Sequence, residues 1–447
     1  MKRLTFGLLA AVLGLSVATA SFGLEVPLTC ERHPDEAESF RPGGAATLQK
    51  SLDRPAGEWK LPELNSKQPI YAFAELGEKK CLLVLDRQKA DDFFYNRLYF
   101  DSNGNGDLTD DTVIDGTFTV ENDEFCRAQF PGIDTTVDLA GKSLPYSFRM
   151  DVFYFYFGDE GKPDTELRQE HIQQNFNLVV VANCSYVGEF DLDGQRYRVV
   201  LGDGNTNGRF DDRLSVTHAQ IASYRAVLPV GDEFYVTAGE EISVYAAQPF
   251  GDMLVVAGQL LEVAVDIAES KMILTPVTEG LAPLTLAMAT ERITMYTEDG
   301  SRCVMMYRPG TEVMIPQGTY QFLNYTVRRK DEQGDEWLLV AQATTDSPSV
   351  TVGGGGDAVL KCGEPYVPTA DVPEWSRQAV REGQTQVPLM FTVIGAGREV
   401  LAELTRLSGT RTRIALSQGN RNRPKEPTYI IARADGEIVT QGSFEYG

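Results

Sequence analysis

The fold class follows from one stretch of the chain, Glu189-Phe190-Asp191-Leu192-Asp193-Gly194-Gln195-Arg196-Tyr197-Arg198-Val199-Val200. On both sides of Asp193-Gly194, apolar side chains tend to alternate with polar ones, which is the period of a strand with one buried face. The Asp-Gly dipeptide favours the two-residue turn that joins twisted antiparallel strands, because both of its residues tolerate positive φ. The stretch is therefore predicted to form a β-hairpin.

The same design recurs at residues 292–307 and 429–444, each again centred on an Asp-Gly dipeptide. Helical periodicity is scarce by comparison: Thr165–Asn175 is the clearest candidate, and part of 216–227 is predicted as a short helix. Many short strand signals separated by turns are typical of sandwiches and barrels. The predicted fold class is mostly β, with several tandem β-sandwich or β-barrel-like modules and few short helices.

Two acidic loops follow predicted strands. The first, here called loop 1, is Asp101-Ser102-Asn103-Gly104-Asn105-Gly106-Asp107-Leu108-Thr109-Asp110-Asp111. The second, loop 2, is Asp203-Gly204-Asn205-Thr206-Asn207-Gly208-Arg209-Phe210-Asp211-Asp212. In both loops, oxygen-bearing side chains occupy positions 1, 3 and 5, and glycine occupies position 6. Position 8 is apolar in both, which suits a side chain that anchors the loop to the core.

This spacing predicts calcium binding, because calcium takes six to eight oxygen ligands and a glycine allows the sharp turn around the ion. At position 7, Asp107 and Arg209 would contribute through the backbone carbonyl. The predicted ligands of loop 1 are Asp101, Asn103, Asn105, Asp107, Asp110 and Asp111. Those of loop 2 are Asp203, Asn205, Asn207, Arg209, Asp211 and Asp212.

The loops resemble the calcium loops of EF-hand and dockerin proteins over about ten residues each. The bidentate carboxylate expected at position 12 of an EF-hand is missing, since Thr112 and Leu214 stand there. Strand-like segments precede both loops, where an EF-hand has a helix. We therefore expect a weakly bound, structural calcium ion, with an affinity on the order of 10⁻⁴–10⁻³ M. The alternative is a pair of Asn/Gly/Asp turns without metal.

The two loops belong to an internal repeat. Asp101 aligns with Asp203, and Tyr95 aligns with Tyr197, at one common offset. A repeated strand and loop indicate two related modules. The predicted organisation is a signal peptide at 1–20, β modules at 23–125 and 126–228 with one loop each, a β-sandwich-like domain at 229–365, a linker at 366–385 and a C-terminal sandwich-like unit at 386–447.

The chain start and the charge balance indicate an exported protein. Lys2 and Arg3 precede an apolar run, Leu4–Val17, and Ala18-Thr19-Ala20 is typical of a signal cleavage site. We expect a secreted, periplasmic or cell-surface location and no membrane span once the signal is removed. The net charge of -23 disfavours nucleic acid and favours cations as partners.

The six cysteines permit disulfides in an exported chain. They are widely spaced and form no CxxC pair, so zinc or a redox motif is not expected. Cys303–Cys362 is the pair that we would test first, and buried free thiols are the alternative. With three histidines and no recognisable catalytic motif, the sequence assigns no catalytic residue.

Taken whole, the chain resembles a group of uncharacterised exported multi-module β proteins of planctomycete-like bacteria. The resemblance is carried by Leu98-Tyr99-Phe100-Asp101, by loop 2 and by the ending Gly442-Ser443-Phe444-Glu445-Tyr446-Gly447. It implies export and an all-β form, and it implies no activity.

The predicted function is a calcium-stabilised, non-catalytic role in adhesion, scaffolding or the cell envelope, with an envelope protein or glycan as the further partner. The alternative is a carbohydrate-binding protein or a carboxylate-dependent glycan hydrolase. Trp59, Trp337 and Trp375 could then stack on sugars.

Overall fold

The computed structural model describes residues 23–34, 40–121, 125–155, 175–221, 224–240, 242–332, 334–384, 387–408 and 423–444. Within these ranges the regular structure is almost entirely β, which confirms the predicted fold class. The exceptions among the described elements are a 3₁₀ turn, Val244–Ala246, and one helix, α1, Glu374–Arg381. None of the described helical segments is long and apolar enough to cross a membrane.

The strands of the N-terminal half are β1 Leu24–Pro27, β2 Thr29–Arg32, β3 Ala45–Leu48, β4 Lys50–Ser51, β5 Ile70–Leu76, β6 Lys79–Asp86, β7 Arg97–Phe100, β8 Ile114–Asp115, β9 Thr117–Val120, β10 Phe125–Gln129, β11 Ile133–Leu139, β12 Lys142–Phe155, β13 Phe176–Ala182, β14 Cys184–Leu192, β15 Gln195–Gly202, β16 Ser215–Ile221, β17 Tyr224–Val230 and β18 Glu233–Thr237.

The strands that follow are β19 Gln248–Pro249, β20 Met253–Val256, β21 Gln259–Asp266, β22 Lys271–Pro276, β23 Leu281–Leu286, β24 Arg292–Thr297, β25 Cys303–Tyr307, β26 Glu312–Pro316, β27 Gly318–Lys330, β28 Glu336–Gln342, β29 Val350–Val352, β30 Val359–Leu360, β31 Val367–Asp371, β32 Met390–Ile394, β33 Val400–Ser408, β34 Thr428–Ala432 and β35 Ile438–Ser443.

The strands of the described residues form four larger sheets. The sheet β4-β5-β6-β7-β8 leads into loop 1 and is called the loop-1 sheet; β19-β18-β15-β14-β2 leads into loop 2 and is called the loop-2 sheet. A six-stranded sheet has the order β3-β13-β12-β10-β9, with β11 also paired to β12. A twelve-stranded sheet runs β1-β22-β21-β20-β25-β24-β27-β28-β33-β32-β31, with β29 paired to β27.

The three predicted hairpins are present. β14 pairs with β15 around Asp193 and Gly194, whose φ angles of 51° and 78° fit a turn with two left-handed residues. β24 pairs with β25, and β34 with β35, as the other two Asp-Gly signals predicted. Local turn chemistry was enough to specify these elements.

The helix predicted within 216–227 is wrong. This segment is the hairpin of β16 and β17. The buried Val227 packs in a cluster with Leu323, and Val216 lies against the same cluster. Packing partners distant in the sequence therefore decided the structure, as is common for short apolar segments. The other predicted helix, Thr165–Asn175, lies outside the described residues except for Asn175.

The Cys303–Cys362 disulfide, which the sequence left open against buried free thiols, is not formed. All six cysteines are free thiols. Cys303 lies against Gly251. Burial raises the pKa of both thiols, and a nearby carboxylate adds to the rise: Asp252 at Cys303 and Glu399 at Cys362. The two cysteines are buried in different surroundings, and both behave as small apolar side chains.

One large hydrophobic core joins several sheets. It includes Leu83 of the loop-1 sheet, Val152 of the six-stranded sheet, Val199 of the loop-2 sheet and Val263 of the twelve-stranded sheet. The strand β1 also pairs with β22 far along the chain. The two loop-bearing sheets thus share their core with the region that follows. Residues 366–385 carry β31 and α1.

Candidate metal centre

Each loop begins at the end of a buried strand. β7 ends at Phe100 and β15 at Gly202, so Asp101 and Asp203 are the first residues beyond the two strands. Their exposed fractions are 1% and 0%. Both carboxylates are therefore removed from water, which is unfavourable unless hydrogen bonds or a cation compensate.

The position-1 carboxylates organise the loops in the same way. Asp101 accepts hydrogen bonds from the backbone N–H of Asn105 at 3.1 Å and of Gly106 at 3.1 Å. Asp203 accepts them from Asn207 at 3.2 Å and Gly208 at 2.7 Å. The chain in both loops is thus wound around the first carboxylate, as in calcium loops.

Position 3 repeats this equivalence. The side-chain oxygen of Asn103 accepts the N–H of Asn105 at 2.9 Å. In loop 2, Asn205 accepts the N–H of Asn207 at 3.1 Å. These short asparagine turns fix the direction of the amide oxygens without help from distant residues.

Position 5 connects the start of each loop to its end. Asn105 and Asn207 each accept the backbone N–H two residues later, at 2.7 and 2.8 Å. Their amide nitrogens donate to Asp110 at 2.9 Å and to Asp212 at 2.6 Å. Asp110 and Asp212 therefore close their loops in equivalent ways. From the sequence, either of two neighbouring aspartates in each loop could have had this role.

The backbones of the loops match as well. At position 4, Gly104 has a φ of 71° and Thr206 a φ of 57°; at position 6, Gly106 and Gly208 have φ angles of 78° and 79°. A β-branched residue rarely adopts positive φ. The Thr206 hydroxyl contacts two backbone carbonyl oxygens at 3.4 Å, which helps to hold it there.

The apolar position-8 residues anchor the loops, as predicted. Leu108 and Phe210 are each 1% exposed. Leu108 joins a small core cluster with Tyr99, and Phe210 packs its ring against Tyr146 and Tyr186. Burying such a side chain contributes about 1.5–3 kcal/mol to the free energy of unfolding, so each anchor holds its loop against the core.

β11 lies against both loops. Thr135 of β11 donates through its hydroxyl to the carbonyl of Ser102 in loop 1, at 3.2 Å. Gly77, at the β5–β6 turn, forms a parallel bridge with Asp138 of β11, and its N–H donates to the carbonyl of Asn207 in loop 2, at 2.6 Å. The tertiary structure thus brings the two repeated loops to one strand.

Different residues close the two loops at position 2. In loop 1, Asp111 accepts the N–H of Ser102 at 3.2 Å and its hydroxyl at 2.5 Å. In loop 2, Asp232 accepts the N–H of Gly204 at 2.9 Å and that of Asp212 at 2.7 Å. Sequence reasoning missed Asp232, which follows β17 and lies outside the loop motif. Its Gly231-Asp232 turn was the only local signal.

Burial raises the pKa of the inner carboxyl groups. The pKa of Asp203 rises to about 6, despite hydrogen bonds that favour the charged form. That of Asp232 rises to about 8, through burial and through the nearby negative charge of Asp203. Burial also raises the pKa of Asp111. A bound cation would lower these pKa values, because it favours the ionised carboxylates.

Three of the predicted ligands, Asp107, Arg209 and Asp211, form ion pairs through their side chains. Asp107 pairs with Lys60 at 2.6 Å, and this hydrogen bond lowers the pKa of Asp107 to about 2. Arg209 pairs with Asp211 at 3.4 Å. Both position-7 side chains are thus engaged in ion pairs, and coordination through the backbone carbonyls of Asp107 and Arg209 stays a prediction.

The available donors are oxygens, which suits calcium better than a soft metal. Among the described residues, no three His, Cys, Asp or Glu side chains are grouped as a metal cluster. A cation would therefore depend on asparagine and backbone oxygens together with one or two carboxylates. In loop 1 one such oxygen, Asp111 Oδ2, is buried without a hydrogen-bond partner.

No family model, curated protein or solved structure matches this chain. The geometry of the site defines a multi-sheet β protein in which two equivalent acidic loops follow two buried strands.

Proposed function

We propose that this chain is an exported, non-catalytic β protein that binds calcium at loops 1 and 2 and has an adhesive, scaffolding or envelope-associated role. The observation that carries the proposal is the equivalence of the loops. Asp101 and Asp203 begin them in the same way, and the hydrogen bonds at positions 1, 3 and 5 agree one by one. Loop positions 1, 3, 5 and 7 are those that calcium loops use.

The expected ion is structural and weakly bound. Neither loop provides a bidentate carboxylate at position 12, and Asp110 and Asp212 approach position 5 from the end of each loop instead. An affinity on the order of 10⁻⁴–10⁻³ M follows, which is typical of extracellular modules. Both loops follow strands, so calcium would stabilise the existing arrangement of strands. It would not change the angle between paired helices, as it does in EF-hand sensors.

Calcium at these positions would stabilise the contact between sheets. Loop 1 meets β11 through Ser102, and loop 2 meets the β5–β6 turn beside β11 through Asn207. Fixing both loops would therefore fix the loop-1, loop-2 and six-stranded sheets against each other. A rigid, acidic surface suits a scaffold whose further partner is an envelope protein or a glycan, and it disfavours nucleic acid.

Thermal unfolding of the full chain, first treated with chelator, tests the proposal. Adding millimolar calcium should raise the melting temperature, and magnesium at the same ionic strength should raise it less. Asp101→Ala and Asp203→Ala should each remove part of the shift. Asp299→Ala, in an exposed Asp-Gly turn outside the loops, is the matched control and should keep the whole shift. Identical melting curves with calcium and with chelator would refute calcium binding.

The alternative, a glycan-binding protein or glycan hydrolase, needs aromatic side chains and carboxylates that converge in a cleft. Trp59 packs against Phe73 and donates its indole N–H to the carbonyl of Ala56. Trp337 donates to Asp331 at 3.0 Å. Both indoles thus serve local structure, and the side chain of Trp375 lies outside the described residues. Specific binding on a glycan array, lost when one tryptophan is replaced, would favour this alternative.

A further inference from the structure

Cys30 and Cys184 form a close pair of thiols that the loops do not involve. Cys30 lies on β2 and Cys184 on β14, which are neighbouring antiparallel strands. In their register Cys30 faces Tyr186, so Cys184 is its diagonal neighbour on the same side of the sheet. The two thiols interact with each other, since each one shifts the pKa of the other.

Both sulfurs are also held against one stretch of β12. The Cys30 sulfur lies 3.6 Å from the carbonyl oxygen of Pro145. The Cys184 sulfur lies 3.5 Å from the carbonyl oxygen of Ser147 and accepts its N–H at 3.3 Å. Pro145 and Ser147 are alternate residues of one strand, so their carbonyls face the same way. The two thiols are therefore confined to one small region between β2, β14 and β12.

The two thiols differ in exposure and in pKa, the two properties that decide which thiol attacks first in thiol–disulfide exchange. Cys30 is partly exposed, whereas Cys184 is 1% exposed. The interaction with the Cys184 thiol lowers the pKa of Cys30, whereas the interaction with Cys30 and burial together raise the pKa of Cys184. An accessible thiol with more thiolate character is the better nucleophile. A buried neighbour can act only after the first sulfur has reacted.

We propose that Cys30 and Cys184 are an exchange-active dithiol, which small-molecule or protein disulfides oxidise to an intramolecular disulfide. The Cys30 thiolate attacks one sulfur of the external disulfide RSSR; a Cys30–S–S–R bond forms and RS⁻ leaves. Cys184 then loses its proton and attacks the Cys30 sulfur, and a second RS⁻ leaves. The protein gives up two electrons and two protons, and RSSR becomes two RSH.

The strand β2 can make the small movement that this bond needs. Diagonal neighbours in a sheet have Cα atoms about 7–8 Å apart, slightly beyond the usual span of a disulfide. β2 has four residues, is mostly exposed and forms the edge of the loop-2 sheet. An edge strand is hydrogen-bonded within its sheet on one side only, so it shifts more easily than a central strand.

The reaction should be selective for this pair. Cys81, Cys126, Cys303 and Cys362 are all buried. Burial raises the pKa of Cys81 to about 11 and that of Cys362 to about 12. Buried thiols with raised pKa values form little thiolate at neutral pH and react slowly while the protein is folded.

Mass spectrometry of the folded full chain after incubation with oxidised glutathione tests this proposal. The wild type should lose two thiols without a lasting adduct, and digestion should give a linked Cys30–Cys184 peptide. Cys184→Ser should stop at one glutathione adduct on Cys30. Cys30→Ser should keep all its thiols. The control Cys362→Ala should form the same disulfide as the wild type.

Two outcomes would overturn the proposal. One is a wild type that keeps six free thiols while its denatured form reacts fully; the other is a lasting adduct on Cys30 in the wild type. A second measurement avoids dependence on the folding of the variants. Brief alkylation of the reduced wild type by iodoacetamide at neutral pH should modify Cys30 before any of the other five cysteines, and equal labelling would contradict the assigned nucleophile.

Discussion

The hydroxyl of Tyr146 donates a hydrogen bond of 2.8 Å to Asp203 Oδ2. Tyr146 lies on β12, and Asp203 is the first residue of loop 2. Both side chains are buried, with exposed fractions of 2% and 0%. This bond supplies a fixed, neutral donor to a carboxylate that water cannot reach, so loop 2 depends on a strand of another sheet.

Replacing Tyr146 with Phe should therefore destabilise the protein. The ring stays, and the carboxylate of Asp203 loses one charge-assisted donor in a buried place, which costs about 1.5–3 kcal/mol. The free energy of unfolding in urea at pH 7 measures the loss. A double-mutant cycle with Asp203→Ala is the control: it should give a coupling of at least about 0.5 kcal/mol, and strictly additive effects would contradict a direct bond.

The position-6 glycines should respond differently to the same substitution. Gly106 and Gly208 share a φ near 80°, so alanine is strained at both. A Cβ on Gly106 would have ordinary contacts, the nearest at 3.7 Å. On Gly208 it would come within 2.6 Å of Val137 and 3.2 Å of the Gly77 nitrogen. Gly106→Ala should cost about 1 kcal/mol, and Gly208→Ala about 3 kcal/mol, through strain and overpacking together.

Chemical unfolding of both variants in chelator measures this difference without reference to metal. Both variants carry the same backbone strain from positive φ. The difference between their free energies of unfolding therefore measures how tightly loop 2 packs against β11. Equal losses would mean that loop 2 is no more tightly enclosed than loop 1.

Asp232 should matter for the calcium response although it is outside the loop motif. Asp232→Ala leaves the N–H groups of Gly204 and Asp212 without their acceptor and removes a carboxyl group near Asp203 that a bound cation would hold ionised. We expect the rise in melting temperature on adding calcium to fall, to about the level of Asp203→Ala. Asp111→Ala is the equivalent change in loop 1. Combined with Asp232→Ala, it should abolish the remaining shift, whereas a full shift in the double variant would contradict the assignment.

Protonation of His33 should disfavour the folded state in mild acid. Its ring is buried and bonds to Ser185 at 3.1 Å. Burial lowers the pKa of His33 to about 4, with the charges of Arg41 and Arg149 contributing. The unfolded chain has the ordinary value of 6.5. Between pH 6.5 and 4 the unfolded chain therefore binds a proton that the folded protein does not, so stability is lost as pH falls through this window.

The His33 contribution should be on the order of 2 kcal/mol between pH 7 and pH 4.5, measured by urea unfolding as the difference in pH dependence between the wild type and His33→Gln. The raised pKa values of Asp203 and Asp232 act in the opposite direction, but they are common to both proteins and cancel in this comparison. His218→Gln, on the exposed side of β16, is the matched control and should keep the pH dependence of the wild type. An equal pH dependence in the wild type and His33→Gln would exclude His33 as the cause.

Sequence reasoning succeeded where neighbouring residues decide the structure. The Asp193-Gly194 turn has its own backbone preference, and the anchors Leu108 and Phe210 are the apolar residues at position 8 of their loops. It failed where distant residues decide. The segment 216–227 became a hairpin because its apolar residues pack against Leu323, and Cys303 and Cys362, the first pair to be tested, are buried free thiols.

The two acidic loops show the same division. The sequence by itself determined their local form, because asparagine and aspartate side chains bond to amides two to five residues away and glycine accepts positive φ. Only the tertiary structure decided that both loops meet β11, that Tyr146 and Asp232 complete loop 2, and that Asp203 is buried. These contacts join residues far apart in the chain, so their free energy depends on how the sheets pack and leaves no pattern in the sequence.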